Sequence, residues 1–233
     1  MRKIIVSVFI AIVLPLCLQA LVWAGEPLQN TEKIMYLTFD DGPHKITTPK
    51  ILDALAKRGV RATFFVLGEK AEAHPEIIKR IADEGHVIGI HSYTHAYRKI
   101  YSTLDAFIKD FTATRDIILK LTGTTPDIYR FPGGSVNSFN SGIRSEAIKY
   151  LSENGYSYFD WNAGIGDAVF GKAATPKSLL KRGLETAKGE SVVMLAHDTK
   201  QGTAKVVGEL ADKLAEKGYK FEVLSKDSIQ VHF

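Results

Sequence analysis

The side chains able to do chemistry gather in a few short stretches. "TFDDGP" (38–43) sets Asp40 and Asp41 side by side after an apolar run, where like charges repel. "HSYTH" (91–95) spaces His91 and His95 four apart. On a helical turn that spacing would face both imidazoles one way, so that they could share one ion. A carboxylate from the Asp pair would make two histidines and one acid, a set that leaves positions open for water and substrate. In extended chain, neighbouring side chains point to opposite sides. One Asp can then hold a cation while the other stays free to take a proton, and the cation offsets the repulsion between them. Taken alone, Asp-Asp-Gly-Pro is a turn sequence and His-x-x-x-His a common spacing. Their conjunction is what points to a metal.

Three later stretches add to it. Arg130 in "RFPGG" (130–134) could pair with a catalytic carboxylate, fixing its direction and keeping it ionised; a surface arginine is the plain alternative. The Pro-Gly-Gly that follows suits a tight loop whose backbone N–H groups could face an oxyanion. Asp160 and Asp167 follow "SYF", and His197 and Asp198 end "SVVMLAHD". A half-buried histidine beside carboxylates suits proton transfer near neutral pH, although a satisfied core histidine would read the same way.

The elements that must position these residues alternate in period. Strand patterns at 34–39, 61–68, 86–91, 127–132, 157–162, 191–197 and 220–225 alternate with helical patterns at 48–59, 74–86, 103–123, 145–156, 175–190 and 203–219. Apolar strands in strand–helix units predict an α/β fold with a parallel sheet covered by helices. Whether such a sheet closes into a barrel or stays open, functional groups collect at the C-terminal ends of its strands. Acids, histidines and an arginine fall at those ends on five strands.

The 233 residues are 45% hydrophobic and 24% charged, an ordinary globular composition. Arg2 and Lys3, a long apolar run and a small-residue exit at Ala24-Gly25 read as a secretory signal over 1–25, with an uncleaved membrane anchor as the alternative. One domain is expected after it, over 26–233. Cys17 is the only cysteine, with Leu16 where a lipobox has a small residue, so neither a disulfide framework nor a thiolate metal site is expected. The formal charge of +4 falls to +2 without Arg2 and Lys3, too mild for a nucleic-acid partner.

In this order, "TFDDGP", "HSYTH", "RFPGG", "DWNAGIGDA" and "LAHD" resemble the five motifs of the polysaccharide deacetylase family (the NodB-homology domain, carbohydrate esterase family four) over about 34–223. The resemblance implies a distorted (β/α) barrel of about seven strands and one divalent cation, zinc by preference, with cobalt, nickel or manganese also suited to the ligands. The implied reaction is removal of an acetyl group from a polysaccharide. Asp41, His91 and His95 match the metal ligands, Asp40 the base that activates water and Arg130 the residue that orients it. Gly133 sits where a backbone N–H meets the oxyanion, Asp167 matches the acid that tunes the last histidine, His197 the general acid, and Leu195 a wall of the acetate pocket. One position departs: Ala168 follows Asp167 where the family has Trp. Trp161 is the candidate to supply that aromatic wall; a core aromatic is its alternative. The implied partner is a cell-wall glycan, N-acetylglucosamine of peptidoglycan by preference, with chitin oligosaccharides, N-acetylmuramic acid and acetyl-xylan as other substrates. A secreted or envelope-tethered monomer is expected. A non-catalytic glycan-binding protein on the same fold is the competing class.

Overall fold

The computed structural model describes residues 32–168 and 174–233. The expected export segment, 1–25, lies outside the described residues. In chain order the elements are β1 (Lys33–Asp40), α1 (Thr47–Ala56), β2 (Thr63–Leu67), α2 (Gly68–Ala73), α3 (Pro75–Asp83), β3 (Val87–Ser92), α4 (Tyr97–Ile100), α5 (Leu104–Thr122), β4 (Ile128–Tyr129), α6 (Arg144–Glu153), β5 (Ser157–Tyr158), β6 (Ala163–Gly164), α7 (Pro176–Thr186), β7 (Ser191–His197), α8 (Gln201–Glu216) and β8 (Tyr219–Glu222). No helix of the described residues is long and apolar enough to cross a membrane.

The strands pair in the order β5-β4-β3-β2-β1-β7-β6, and β8 pairs with the start of β1 beyond the reach of β2. Every pairing is parallel. Among the described residues β5 and β6 do not pair with each other, so the seven-strand path curls into a half-barrel without closing, the distorted (β/α) barrel expected. All five residues of β2 are buried, because helices cover one face and the barrel interior the other. Alternation along β2 divides them: Phe64 and Val66 join the large core under the helices, while Phe65 joins a smaller inner cluster with Tyr36, Ile128, Phe159, Val193 and Leu224.

Helix α5 carries its own start and stop signals. Thr103 caps α5 by accepting from the Ala106 N–H, and Gly123 ends it at φ 74°. Phe107, Phe111, Thr114 and Ile118 form the buried stripe of α5. Phe111 packs edge-on against Tyr156 with centroids 4.8 Å apart. Truncating it to Ala would cost ~3–5 kcal/mol in transfer and cavity terms.

Three expectations need correction. The helical pattern read over 74–86 starts only at Pro75, and a separate short helix, α2, precedes it. The strands read over 127–132 and 157–162 each shrink to two residues, with β6 as a further short piece. Just past β5 the side chain of Arg130 takes over, its Nε and Nη2 donating to the carbonyls of Phe159 and Asp160 at 3.0 Å each. Those carbonyls serve the guanidinium rather than a neighbouring strand.

Candidate active site

Parallel register brings the first pair together. Asp40, the last residue of β1, sits opposite His197, the last of β7. On the other side Asp40 pairs with Phe65 of β2. Past Asp40 the chain turns sharply. Asp41 has φ 73° and His95 φ 60°, and these are the two non-glycine residues at positive φ among the described residues. Such backbone is uncommon outside glycine and must be held by its surroundings. Lys70 Nζ donates to the Asp41 carbonyl at 2.8 Å, and the Leu67 N–H donates to the Gly42 carbonyl at 2.9 Å. Gly42 is required by contact: a Cβ there would overlap the buried carboxylate of Asp198.

This turn corrects one expectation. Asp40 and Asp41 do not diverge as successive residues of extended chain; the left-handed turn at Asp41 separates them. The helical turn expected for "HSYTH" is also absent. His91 is still in β3, the chain bends after Ser92, and α4 begins only at Tyr97. Ser92 Oγ accepts the His95 N–H at 2.8 Å, and Asp110 of α5 accepts the Tyr93 N–H at 2.9 Å. These bonds, rather than helical geometry, bring the two imidazoles together, with centroids 5.2 Å apart.

The donor atoms of Asp41, His91 and His95 all lie within 4.8 Å of one another. Asp41 Oδ1 is 3.4 Å from His91 Nε2 and 3.3 Å from His95 Nε2, too far for good hydrogen bonds. It is buried and has no hydrogen-bond partner among the described residues. His91 Nδ1 lies 2.8 Å from the Arg130 carbonyl, which can only accept, so Nδ1 carries the proton and Nε2 turns its lone pair to Asp41. Burial alone would raise the Asp41 pKa. When His91, His95 and His197 carry protons, their hydrogen bonding and charge outweigh it, His91 first, and hold the carboxyl well below the usual range. Burial, followed by the neighbouring His91, lowers the pKa of His95 and favours its neutral, ligating form. An orphaned carboxylate oxygen facing two imidazole lone pairs fits a cation, the species that satisfies all three at once.

Asp40 is treated differently. It is 3% exposed, and Arg130, fully buried, donates from Nη1 to Asp40 Oδ1 at 2.9 Å and to Thr38 Oγ1 at 2.6 Å. The guanidinium also lies 4.2 Å from the centroid of the Phe65 ring. Arg130 is therefore no surface arginine but the fixed partner of Asp40. Asp40 Oδ2 is left 3.9 Å from His91 Nε2, beside the donor cluster.

Across the register, His197 Nδ1 meets Asp167 Oδ1 at 2.8 Å. Asp167 Oδ2 accepts from the His197 N–H at 2.7 Å and from Thr203 Oγ1 at 2.6 Å. Burial opposes the imidazolium, but the hydrogen bond and charge of Asp167, then Asp40 and Asp41, raise the His197 pKa to about 8. Its neighbour Asp198 accepts from Thr48 Oγ1 at 2.6 Å, and burial pushes its pKa to about 7. Asp160, also at a strand end, stands apart: it accepts from the Ser135 and Phe233 N–H groups and shapes a loop.

The remaining candidates fall at the same end. Leu195, Trp161, Asp167, Ala168 and His197 share a cavity of about 460 Å³, which Arg182 also lines. Trp161 is half-buried: it lines this cavity and also packs against the inner apolar cluster. Gly133 is exposed, at φ 77°, and its N–H has no hydrogen-bond acceptor among the described residues. Sequence reasoning missed Thr38, Lys70, Asp110 and Thr203, which orient the others. Thr38 opens "TFDDGP", but its type alone marks no role; Lys70, Asp110 and Thr203 belong to no local pattern, so no sequence signal marks them.

Comparison with known proteins points to one family. The sequence profile described as "Polysaccharide deacetylase" matches residues 28–159. A peptidoglycan-N-acetylglucosamine deacetylase of Bacillus cereus is 32% identical over 199 residues, 84% of this chain and 71% of that protein. A peptidoglycan-N-acetylmuramic acid deacetylase of Bacillus subtilis is 31% identical over 84% of this chain and 72% of its own. The crystal structure of the catalytic domain of a peptidoglycan N-acetylglucosamine deacetylase from Eubacterium rectale superposes with a TM-score of 0.83 at 33% identity, covering 91% of this chain and 97% of that one.

Proposed function

The chain belongs to the polysaccharide deacetylase family, and from that premise we propose that it hydrolyses the N-acetyl group of N-acetylglucosamine in peptidoglycan, releasing acetate and a free amine. The observation that carries this is the convergence of Asp41, His91 and His95 on an unpartnered carboxylate oxygen, with a fixed carboxylate and a protonated histidine alongside. Relatives acting on this polymer favour the N-acetylglucosamine unit. We read residues 1–25 as the export signal, 26–233 as the catalytic domain, and the working form as a monomer at the cell envelope.

Asp41, His91 and His95 would hold one divalent cation, zinc by our reading. When bound, that cation supplies Lewis acidity: it polarises the amide carbonyl and makes water easier to deprotonate. The chain's own residues do the rest. Asp40, its Oδ1 tied to Arg130, takes a proton from the attacking water at Oδ2. Hydroxide adds to the acetamide carbonyl carbon, and the Gly133 N–H donates to the developing oxyanion. The C–N bond breaks as His197 Nε2 gives its proton to the departing nitrogen, since an amide anion cannot leave. Asp167 keeps that proton available, because it holds His197 Nδ1–H and lifts the imidazole pKa to about 8. Trp161 and Leu195 wall the pocket for the acetyl methyl.

The test is acetate release from purified peptidoglycan, with and without a chelator, followed by identification of the deacetylated sugar. Glucosamine in the digest supports the reading and muramic amine moves it to the other sugar. No acetate from any acetylated glycan would sink the enzyme and leave the binding protein.

A further inference from the structure

The turn that carries the Gly133 N–H is held at several points. The Gly134 N–H donates to the Phe131 carbonyl at 2.8 Å, with Pro132 second in the turn and Gly133 third at φ 77°. This is the pattern of a type II turn, which favours proline second and needs positive φ third. Its central peptide joins Pro132 to Gly133, and the carbonyl of that peptide is anchored. The buried Tyr101 hydroxyl donates to the Pro132 carbonyl at 2.9 Å, and Asn137 Nδ2 donates to it at 3.3 Å. A trans peptide is planar, so its C=O and N–H point opposite ways. Holding the carbonyl toward Tyr101 therefore aims the Gly133 N–H outward, where no acceptor meets it among the described residues.

A second donor stands beside this turn. A Cβ placed on Gly133 would meet the Tyr97 hydroxyl at 3.1 Å. Tyr97 opens α4, two residues past His95, and its ring lies 5.1 Å from the His95 imidazole with the planes tilted by 55°. Two more rings clamp it: Phe139 stacks at 5.1 Å and Tyr101 at 6.2 Å. Tyr101 thus holds both parts, Tyr97 through its ring and Gly133 through its hydroxyl. Tyrosine hydroxyls that are taken from water usually find a partner, yet the half-buried Tyr97 hydroxyl has none among the described residues. Two fixed donors, both unspent, flank one space beside a metal ligand. An oxygen that gains negative charge satisfies both, and the carbonyl oxygen of an acetyl group gains it as hydroxide adds.

We propose that the Tyr97 hydroxyl is a second donor to that oxyanion, alongside the Gly133 N–H, and so a catalytic residue for acetyl removal. This rests on the deacetylase reading above and adds a residue outside the five motifs. Tyr97→Phe keeps the ring and its stacking and removes only the donor. The experiment measures kcat and KM for acetate release from soluble peptidoglycan fragments by the metal-loaded protein. In the variant kcat should fall about 100-fold, the worth of one oxyanion donor, while KM stays within about threefold. Metal content by elemental analysis and Tm should not move. A kcat loss below about tenfold, a loss carried by KM, or a loss of metal overturns the proposal. If the unaltered protein releases no acetate from these fragments, the deacetylase reading fails separately. Calorimetric titration of both metal-loaded proteins with acetohydroxamate, an acetyl group bearing an anionic oxygen, then decides the donor. Binding about tenfold weaker to Tyr97→Phe upholds it, the worth of one hydrogen bond to a charged oxygen, and equal or absent binding overturns it.

Discussion

At one side of the catalytic end, Asp167 and His197 meet at 2.8 Å with a proton between them. At the other, Asp41 Oδ1 stands 3.3–3.4 Å from two imidazole nitrogens with none to join them. Both clusters pair acid with histidine at the ends of the same sheet, yet only the first is complete within the protein. In the Asp167 cluster every acid oxygen has donors: Nδ1–H, a backbone N–H and the Thr203 hydroxyl. In the Asp41 cluster the His91 proton is spent on the Arg130 carbonyl, which leaves lone pair facing lone pair. The same residue types therefore serve two ends: a satisfied pair tunes a proton, and an unsatisfied one waits for a cation. Asp40 stands between the two: Arg130 fixes its Oδ1 and leaves Oδ2 beside the donor cluster.

The contrast can be broken most severely at Asp41. Asp41→Ala should purify with no stoichiometric metal by elemental analysis and show no measurable turnover, and chelation of the unaltered protein should mimic it reversibly. Metal retained at full occupancy in that variant would refute the assignment. Asp40→Asn should instead keep the metal and lose kcat by about 10³-fold, the range for a removed general base. A loss of metal there would erase the distinction between the two neighbours.

Asp167→Asn tests the completed cluster, with an expected 10- to 100-fold loss in kcat, typical of a partner that orients a working histidine. Its sharper readout is the NMR titration of His197 in metal-free protein. The His197 pKa, about 8, lies above the ordinary histidine value of 6.5, so the pair contributes stability that is fully present below pH 6.5 and lost as pH rises through 8. In Asp167→Asn the His197 pKa should fall and that part of the pH dependence of Tm should vanish. The smallest effect should come from Thr203→Val, which removes one of three donors to Asp167; a loss of about two- to fivefold in kcat is expected, near the worth of one hydrogen bond. A loss as large as that of Asp167→Asn would mean Thr203 does more than hold the acid.

The sequence by itself determined that strands and helices alternate, because apolar period is local to each run. It determined the candidates too: Asp40, Asp41, His91, His95, Arg130, Asp167 and His197 were all named from type and position, and all meet at one end of the sheet. Tertiary structure decided how they meet. Helical spacing suggested a shared face for His91 and His95, but their approach is made by a bend that Ser92 and Asp110 pin. Alternation in a strand suggested how Asp40 and Asp41 part, but a left-handed turn backed by Asp198 and Lys70 parts them. Apolar pattern suggested a long strand at 157–162, but past Tyr158 the carbonyls of Phe159 and Asp160 accept from the Arg130 guanidinium. The reason is common to all three. Periodicity fixes which side of an element a residue faces, whereas partnerships between separate elements and loops, such as Tyr93 with Asp110 or Arg130 with Phe159, exist only once the chain has folded.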